Sequence, residues 1–226
     1  MHIEPGVVNG AKLLLSYGTA AGCLGGLAKL AWGTIKNDGI TQLAIRSMIT
    51  TLLVFCFFQV LPHYPVGVSE VHFILGSTLF LMFGLAPAAI GLALGLLIQG
   101  LLFSPFDLPQ YGMNITTLLV PLMAVALVAD KIVPKNTAYK DVSYKQTLAL
   151  SAAYQGGVVS WVAIWAFYGQ GFGAETLSQV GLFGGAYMMV IIVEPLADLA
   201  ILGAAKTLHQ LKDSPLFHDR LYRAGV

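Results

Sequence analysis

Charge is scarce in this chain. Asp, Glu, Lys and Arg make up 10% of its 226 residues while 57% are hydrophobic, and a soluble domain carries about 25% charged residues. A chain with so little charge and a mean hydropathy of +0.77 cannot clothe itself in a polar surface, which excludes a soluble globular protein. The net charge of +1 provides no basic patch and excludes nucleic acid as a partner. Cysteine is rarer still. Cys23 and Cys56 stand alone inside apolar runs, far from any Cys-x-x-Cys spacing, and read as buried small apolar residues. There is no His-Glu-x-x-His zinc motif, no Ser-His-acid pattern and no Gly-Lys-Ser/Thr phosphate loop, so ATP hydrolysis has to come from elsewhere. The opening MHIEPG lacks a basic n-region and a small-residue cleavage site, and no cleaved leader is expected.

Long apolar runs are what the sequence does have. Segments of roughly 10–32, 41–61, 70–84, 86–103, 112–130, 146–168 and 178–205 are each candidates for a membrane crossing. The third and fourth are short, so 70–103 is either two full crossings or a re-entrant pair. The expected fold is therefore an all-α polytopic membrane protein of about seven transmembrane helices, with 1–226 as a single integral membrane domain. Lys131, Lys135, Lys140 and Lys145, then Lys206, Lys212, Arg220 and Arg223, and the group Lys29, Lys36 and Arg46 all fall on one side. The connections 62–69, 104–111 and 169–177 contain no Lys or Arg. By the positive-inside rule the N-terminus, including an outer segment 1–9, lies outside, and the tail 206–226 is cytoplasmic.

That topology gives the first two residues a chemical interest. A free α-amine, the amide nitrogen of residue 2 and Nδ1 of His2 can close a five-membered and a six-membered chelate ring on one ion. Three nitrogens held in a plane suit Ni(II) or Cu(II), with a fourth position open. The amide must lose its proton, so affinity should rise with pH. His2 is also too bulky to favour removal of Met1. An ordinary solvated N-terminus is the competing interpretation. His63 and His72 belong to the same outer side, His63 in the turn Pro62-His63-Tyr64-Pro65 and His72 at the start of a helix behind Glu70. His209 and His218 belong to the tail and read as exposed residues.

Other polar groups stand inside the apolar segments, where a charge costs about 2.5–3.5 kcal/mol on insertion scales. Glu194, followed by Pro195, and Asp198 lie in the last helix, with Asp130 and Arg46 near the same side. An ion pair between Arg46 and one of these acids is expected, with a gate at Glu194 and Pro195 as the alternative. Gln99 reads as a helix–helix hydrogen bond. Asn114 is expected to be the same, or to orient an imidazole at the outer site. Glycines spaced by four, Gly18-Gly22-Gly26, Gly91-Gly95 and Gly181-Gly185, are expected to pack helices of the bundle together rather than dock a second protein.

Together, Met1-His2-Ile3 with an acid at Glu4 and Gly6, Val71-His72, Phe83-Gly84, the run Leu96 to Phe103 around Gln99-Gly100, Gly112-Met113-Asn114 and Glu194 resemble the CbiM/NikM family. These are the substrate-binding (S) components of energy-coupling factor transporters for cobalt and nickel. The resemblance spans most of the chain. It departs where His72 is followed by Phe73-Ile74-Leu75-Gly76, where Glu4 precedes Pro5, and where Glu194 precedes Pro195 instead of a glycine. It implies a metal held by the amino nitrogen of Met1, the amide and imidazole of His2, and His72, with Glu70, Asn114 and Glu194 as supporting or gating groups. The metal is Ni2+ or Co2+ as transported substrate, and no resident cofactor is expected. Implied partners are a transmembrane coupling (T) protein, ATP-binding cassette ATPases and a small accessory membrane protein, in a bacterial or archaeal plasma membrane. A membrane metal sensor or scaffold and a membrane metalloenzyme are the alternative functions.

Overall fold

Among the described residues six helices are long and apolar enough to cross a membrane, and the third expected crossing is the exception. The computed structural model describes residues 2–134 and 137–210. In chain order these form α1 (Leu13–Asp38, entered through a 3₁₀ turn), α2 (Ile40–Gln59), a hairpin of β1 (Tyr64–Val66) and β2 (Ser69–Val71), α3 (Gly76–Phe83), α4 (Leu85–Leu102), a 3₁₀ turn at Pro105–Gln110, α5 (Tyr111–Ile132), α6 (Tyr144–Gln170) and α7 (Ala174–Gln210). Large apolar side chains such as Leu14, Trp32, Leu52, Leu127 and Met189 point outward, as they must when lipid is the solvent.

The ends of the elements collect at two faces. At the N-terminal face the Lys12 ammonium donates to the Gly169 carbonyl at 2.8 Å, and the hairpin turn lies on α7. Gly67 makes that last contact possible. Its φ is +62°, and a Cβ there would stand 2.2 Å from the Gln179 carbonyl oxygen. At the opposite face Leu85 borders a groove with Lys29, Gly33 and Asn37 of α1. The chain between β2 and α4 therefore traverses the bundle.

It does so with only eight helical residues, about 12 Å at 1.5 Å per residue. Residues 72–75 make up the difference as non-helical chain, so 70–84 is a broken crossing and not the helix expected from its hydropathy. Non-helical backbone at membrane depth is tolerated only where protein supplies its hydrogen bonds, and here α7 supplies them. The Glu194 carboxylate accepts from the backbone N–H of Ile74 at 3.1 Å and from that of Leu75. One turn on, Asp198 accepts from the hydroxyls of Ser77 at 3.1 Å and Thr78 at 2.5 Å. The N-terminus of α3 has no cap from its own N-cap side chain, and two acids of a distant helix fill that role, where a helix end favours negative charge.

This arrangement corrects the expected partner of Arg46. Its guanidinium pairs with Asp38 at 2.8 Å, across the α1–α2 turn, because Glu194 and Asp198 face α3 instead. The glycine pairs divide. Gly91 and Gly95 pack as expected, with a Cβ at either position landing 2.4 Å and 2.6 Å from Thr50 and Val54 of α2. Gly18, Gly22, Gly181 and Gly185 face open space, because spacing reveals that a face can be approached closely but not what approaches it. Cys56 is exposed on an outward-turned helix surface, and Cys23 is half-buried against the core.

Gly76 is the tightest point of the broken crossing. A Cβ there would lie 2.4 Å from ring carbons of Tyr154, and Tyr154 is fully buried, so the ring has no free space to move into. Gly76→Ala is expected to destabilise the protein by about 1–3 kcal/mol through overpacking. A thermal melt in detergent, compared with Gly33→Ala where a Cβ meets nothing within 4 Å, measures the difference.

Candidate metal centre

The N-terminal segment is placed by backbone pairing. Ile3 forms an antiparallel bridge with Ser69, so residues 2–4 add a third strand to the hairpin along the free edge of β2. The His2 carbonyl accepts from the Glu70 N–H at 2.8 Å, and the Glu4 N–H donates to the Val68 carbonyl at 3.1 Å. The Ser69 hydroxyl also donates to the His2 carbonyl at 2.8 Å. On the other side the Ile3 N–H donates to Asn114 Oδ1 at 2.8 Å. Asn114 was expected to make a helix–helix hydrogen bond or to orient an imidazole; it anchors the main chain of the N-terminal strand instead.

The strand register then decides which side chains meet. Residues two apart on an extended chain share a face, so Glu70 and His72 point the same way, toward His2. The ring centroids of His2 and His72 are 5.6 Å apart. The donor atoms of His2, Glu70 and His72 all lie within 4.8 Å of one another. Both histidines are buried, at 3% and 1% exposure, and Phe58 closes the site from beneath with its ring edge-on to His72 at 5.2 Å. His72 is in the non-helical loop and does not start a helix. His63, expected to be exposed, is half-buried and stacks on His72 at 4.8 Å with planes 10° apart.

The polar accounting inside this site is incomplete in a specific way. Neither ring nitrogen of His2 has a hydrogen-bond partner, nor does Nδ1 of His72, although buried polar groups are nearly always paired. The buried Gln99 carboxamide faces His2, yet its Oε1 also has no partner, while its Nε2 donates to Ser104 at 3.3 Å. Gln99 thus belongs to the site rather than to a helix contact. Burial lowers the pKa of His2 to about 2, which keeps its imidazole in the neutral form that ligates a metal. Asp107 Oδ2 comes within 3.4 Å of His2 Nδ1. Burial raises the pKa of Glu4, and the nearby carboxylates of Glu70 and Asp107 raise it further. Three acids therefore surround two neutral histidines, a field that favours a cation.

A polar cleft of about 710 Å³ is walled by Glu4, Gly67, Gln170, Glu175 and Gln179, and neither histidine lines it. Glu194 contacts no histidine; it reaches His72 through the backbone two and three residues on. Met1 and His218 lie outside the described residues, and His209 is exposed near the end of α7. Asp107 and Ser69 carried no sequence signal of their own. Asp107 comes from the 104–111 connection, which lacks Lys and Arg, and its acid is the one hint that this loop belongs near a cation.

Comparisons with known proteins bear on the fold and the family. A crystal structure described as a truncated transition metal transporter superposes with a TM-score of 0.65, covering 93% of this chain and 98% of that one at 16% identity, which establishes a shared fold. No curated protein matches the sequence. The family model described as the cobalt uptake substrate-specific transmembrane region, CbiM, matches residues 2–210, from the histidine of the metal centre to the end of α7, and the chain belongs to that family.

Proposed function

We propose that this protein is the substrate-capture subunit, the S component, of an energy-coupling factor importer for nickel or cobalt. It takes a divalent ion at the outer face through the Met1 amine, the His2 amide and imidazole, and His72. Asn114 and Glu194 fix the two backbone segments that carry these donors. The observation that carries the proposal is the pair of buried histidines, three of whose four ring nitrogens lack a hydrogen-bond partner, while the fourth, His72 Nε2, meets the Glu70 carboxylate within a cluster of ligand spacing. A nitrogen-rich donor set favours Ni(II) or Co(II) over Mg²⁺, which prefers oxygen.

The chain has no phosphate-binding loop, so energy comes from partners: a transmembrane coupling protein and two cytoplasmic ATPases, with a small accessory membrane protein, in a bacterial or archaeal plasma membrane. The positive-inside arrangement supports an outward N-terminus. The open glycine faces of α1 and α7 offer close approach to another membrane helix.

Uptake of labelled Ni²⁺ and Co²⁺ by cells carrying the chain with its partner subunits tests this function. His72→Ala is expected to reduce uptake at least about tenfold, since even groups that only support a metal ligand are worth 10–100-fold, with membrane insertion unchanged. Metal bound without uptake while the partners are present would indicate a sensor or scaffold instead.

A further inference from the structure

We infer that Glu70 is itself a metal ligand, a carboxylate oxygen added to the nitrogen donors, and that it sets the coordination number of the bound ion. This rests on the chelate proposed above and names a donor beyond it. Glu70 Oε2 stands 2.8 Å from His72 Nε2. Two donors at right angles around one ion, each at the 2.0–2.2 Å typical of nitrogen and oxygen on zinc, stand about 2.9 Å apart. The observed separation is thus that of neighbouring ligands. An ion seated on this edge replaces the proton that the two groups otherwise share and requires no displacement of either.

The carboxylate also has little freedom to withdraw. The Glu70 N–H is fixed to the His2 carbonyl at 2.8 Å, and the side chain is only 20% exposed. The three-nitrogen N-terminal chelate occupies one plane, and His72 completes that plane. A donor at a right angle to His72 is then available along the axis.

Charge balance points the same way. A divalent ion on a deprotonated amide leaves a net charge of +1 in a site whose histidines are 3% and 1% exposed. Burying an unpaired charge is costly, and one coordinated carboxylate brings the centre to neutrality. Asp107, 3.4 Å from His2 Nδ1, and Glu4 remain outside this set as a surrounding negative field. A five-coordinate centre with one oxygen relaxes the preference of a planar four-nitrogen site for Ni(II), so Glu70 is the position that admits Co(II).

X-ray absorption at the nickel edge of the full-length protein loaded with Ni²⁺, together with Ni²⁺ and Co²⁺ titrations of the native chain and Glu70→Gln, tests the assignment. The native chain is expected to show a five-coordinate nitrogen/oxygen shell. Glu70→Gln is expected to shift to a planar four-nitrogen shell and to lose about 10–100-fold in Co²⁺ affinity, more than in Ni²⁺ affinity. A planar four-nitrogen spectrum in the native chain, unchanged in Glu70→Gln, would overturn Glu70 as a ligand while leaving the N-terminal chelate standing. The native spectrum alone decides if the variant does not fold. Metal binding that survives insertion of a residue after Met1 would instead overturn the chelate, and with it the five-coordinate assignment, leaving Glu70 as a ligand only in a side-chain site with His2 and His72.

Discussion

Inserting one alanine between Met1 and His2 is expected to abolish stoichiometric Ni²⁺ and Co²⁺ binding. The amine, the amide and Nδ1 of His2 can share an ion only while they belong to adjacent residues, because the fused five- and six-membered rings have no slack. The insertion moves the amine away by one residue and separates it from the imidazole. Everything downstream remains in place: the Ile3 bridge to Ser69 and the Asn114 bond to the Ile3 N–H do not involve the inserted position. The affinity loss should exceed the roughly 100-fold upper range for loss of a group that merely supports a ligand, with no change in thermal stability of the metal-free protein. Calorimetric titration of both chains measures it. Equal affinity would remove the N-terminal chelate and leave His2, Glu70 and His72 side chains to account for binding alone.

Removing the Glu194 carboxylate is expected to damage both stability and metal affinity, and the two losses can be separated. Glu194→Leu leaves the backbone N–H groups of Ile74 and Leu75 without an acceptor in a fully buried site. Each unpaired donor costs about 1–3 kcal/mol, so the metal-free protein should melt markedly lower. Glu194→Gln keeps one acceptor oxygen but directs an NH₂ toward a donor, so it should lose less stability. Leu releases the non-helical segment 72–75, and Gln holds it through one acceptor instead of two. Leu75 has a left-handed φ of +52°, a conformation that a leucine adopts only when its surroundings impose it. With the carboxylate gone, His72 loses its fixed position, and Ni²⁺ affinity should fall about 10–100-fold. Asp198→Asn is the comparison: its partners are the Ser77 and Thr78 hydroxyls, further along the chain, so it should cost stability with a smaller effect on metal. Unchanged affinity in Glu194→Gln would show that His72 is held by its own packing against Phe58 and His63.

Much of this was legible in the residues, and the part that was not has a physical explanation. Hydropathy located every long helix because a bilayer demands long apolar runs. The chelate proposed for Met1-His2 was read from covalent geometry alone and needed no tertiary information. Hydropathy could not distinguish an eight-residue helix preceded by non-helical chain from a short helix, because Phe73-Ile74-Leu75 is as apolar as a helix would be. The hairpin escaped because strands of three residues show no usable alternation. Glu194 and Asp198 were visible as costly charges, but their partners are backbone N–H groups and hydroxyls, which any segment offers. Arg46 was the obvious counter-charge, yet Asp38 lay just across a glycine turn.

The bond from Glu194 to Ile74 joins residues 120 positions apart, and this has a consequence for how the protein is made. A ribosome adding about 5–20 residues per second delivers Glu194 some 6–24 s after Ile74. Until then the stretch after His72 has no acceptor for its amides, and the nascent chain cannot hold its second histidine beside its first. Full affinity for the proposed metal is therefore expected only after the last helix has been synthesised. A prematurely terminated chain would enter the membrane with its amino terminus intact but without a finished trap for a reactive transition metal. If the site captures metal as proposed, this long-range contact ties full affinity to the synthesis of the last helix.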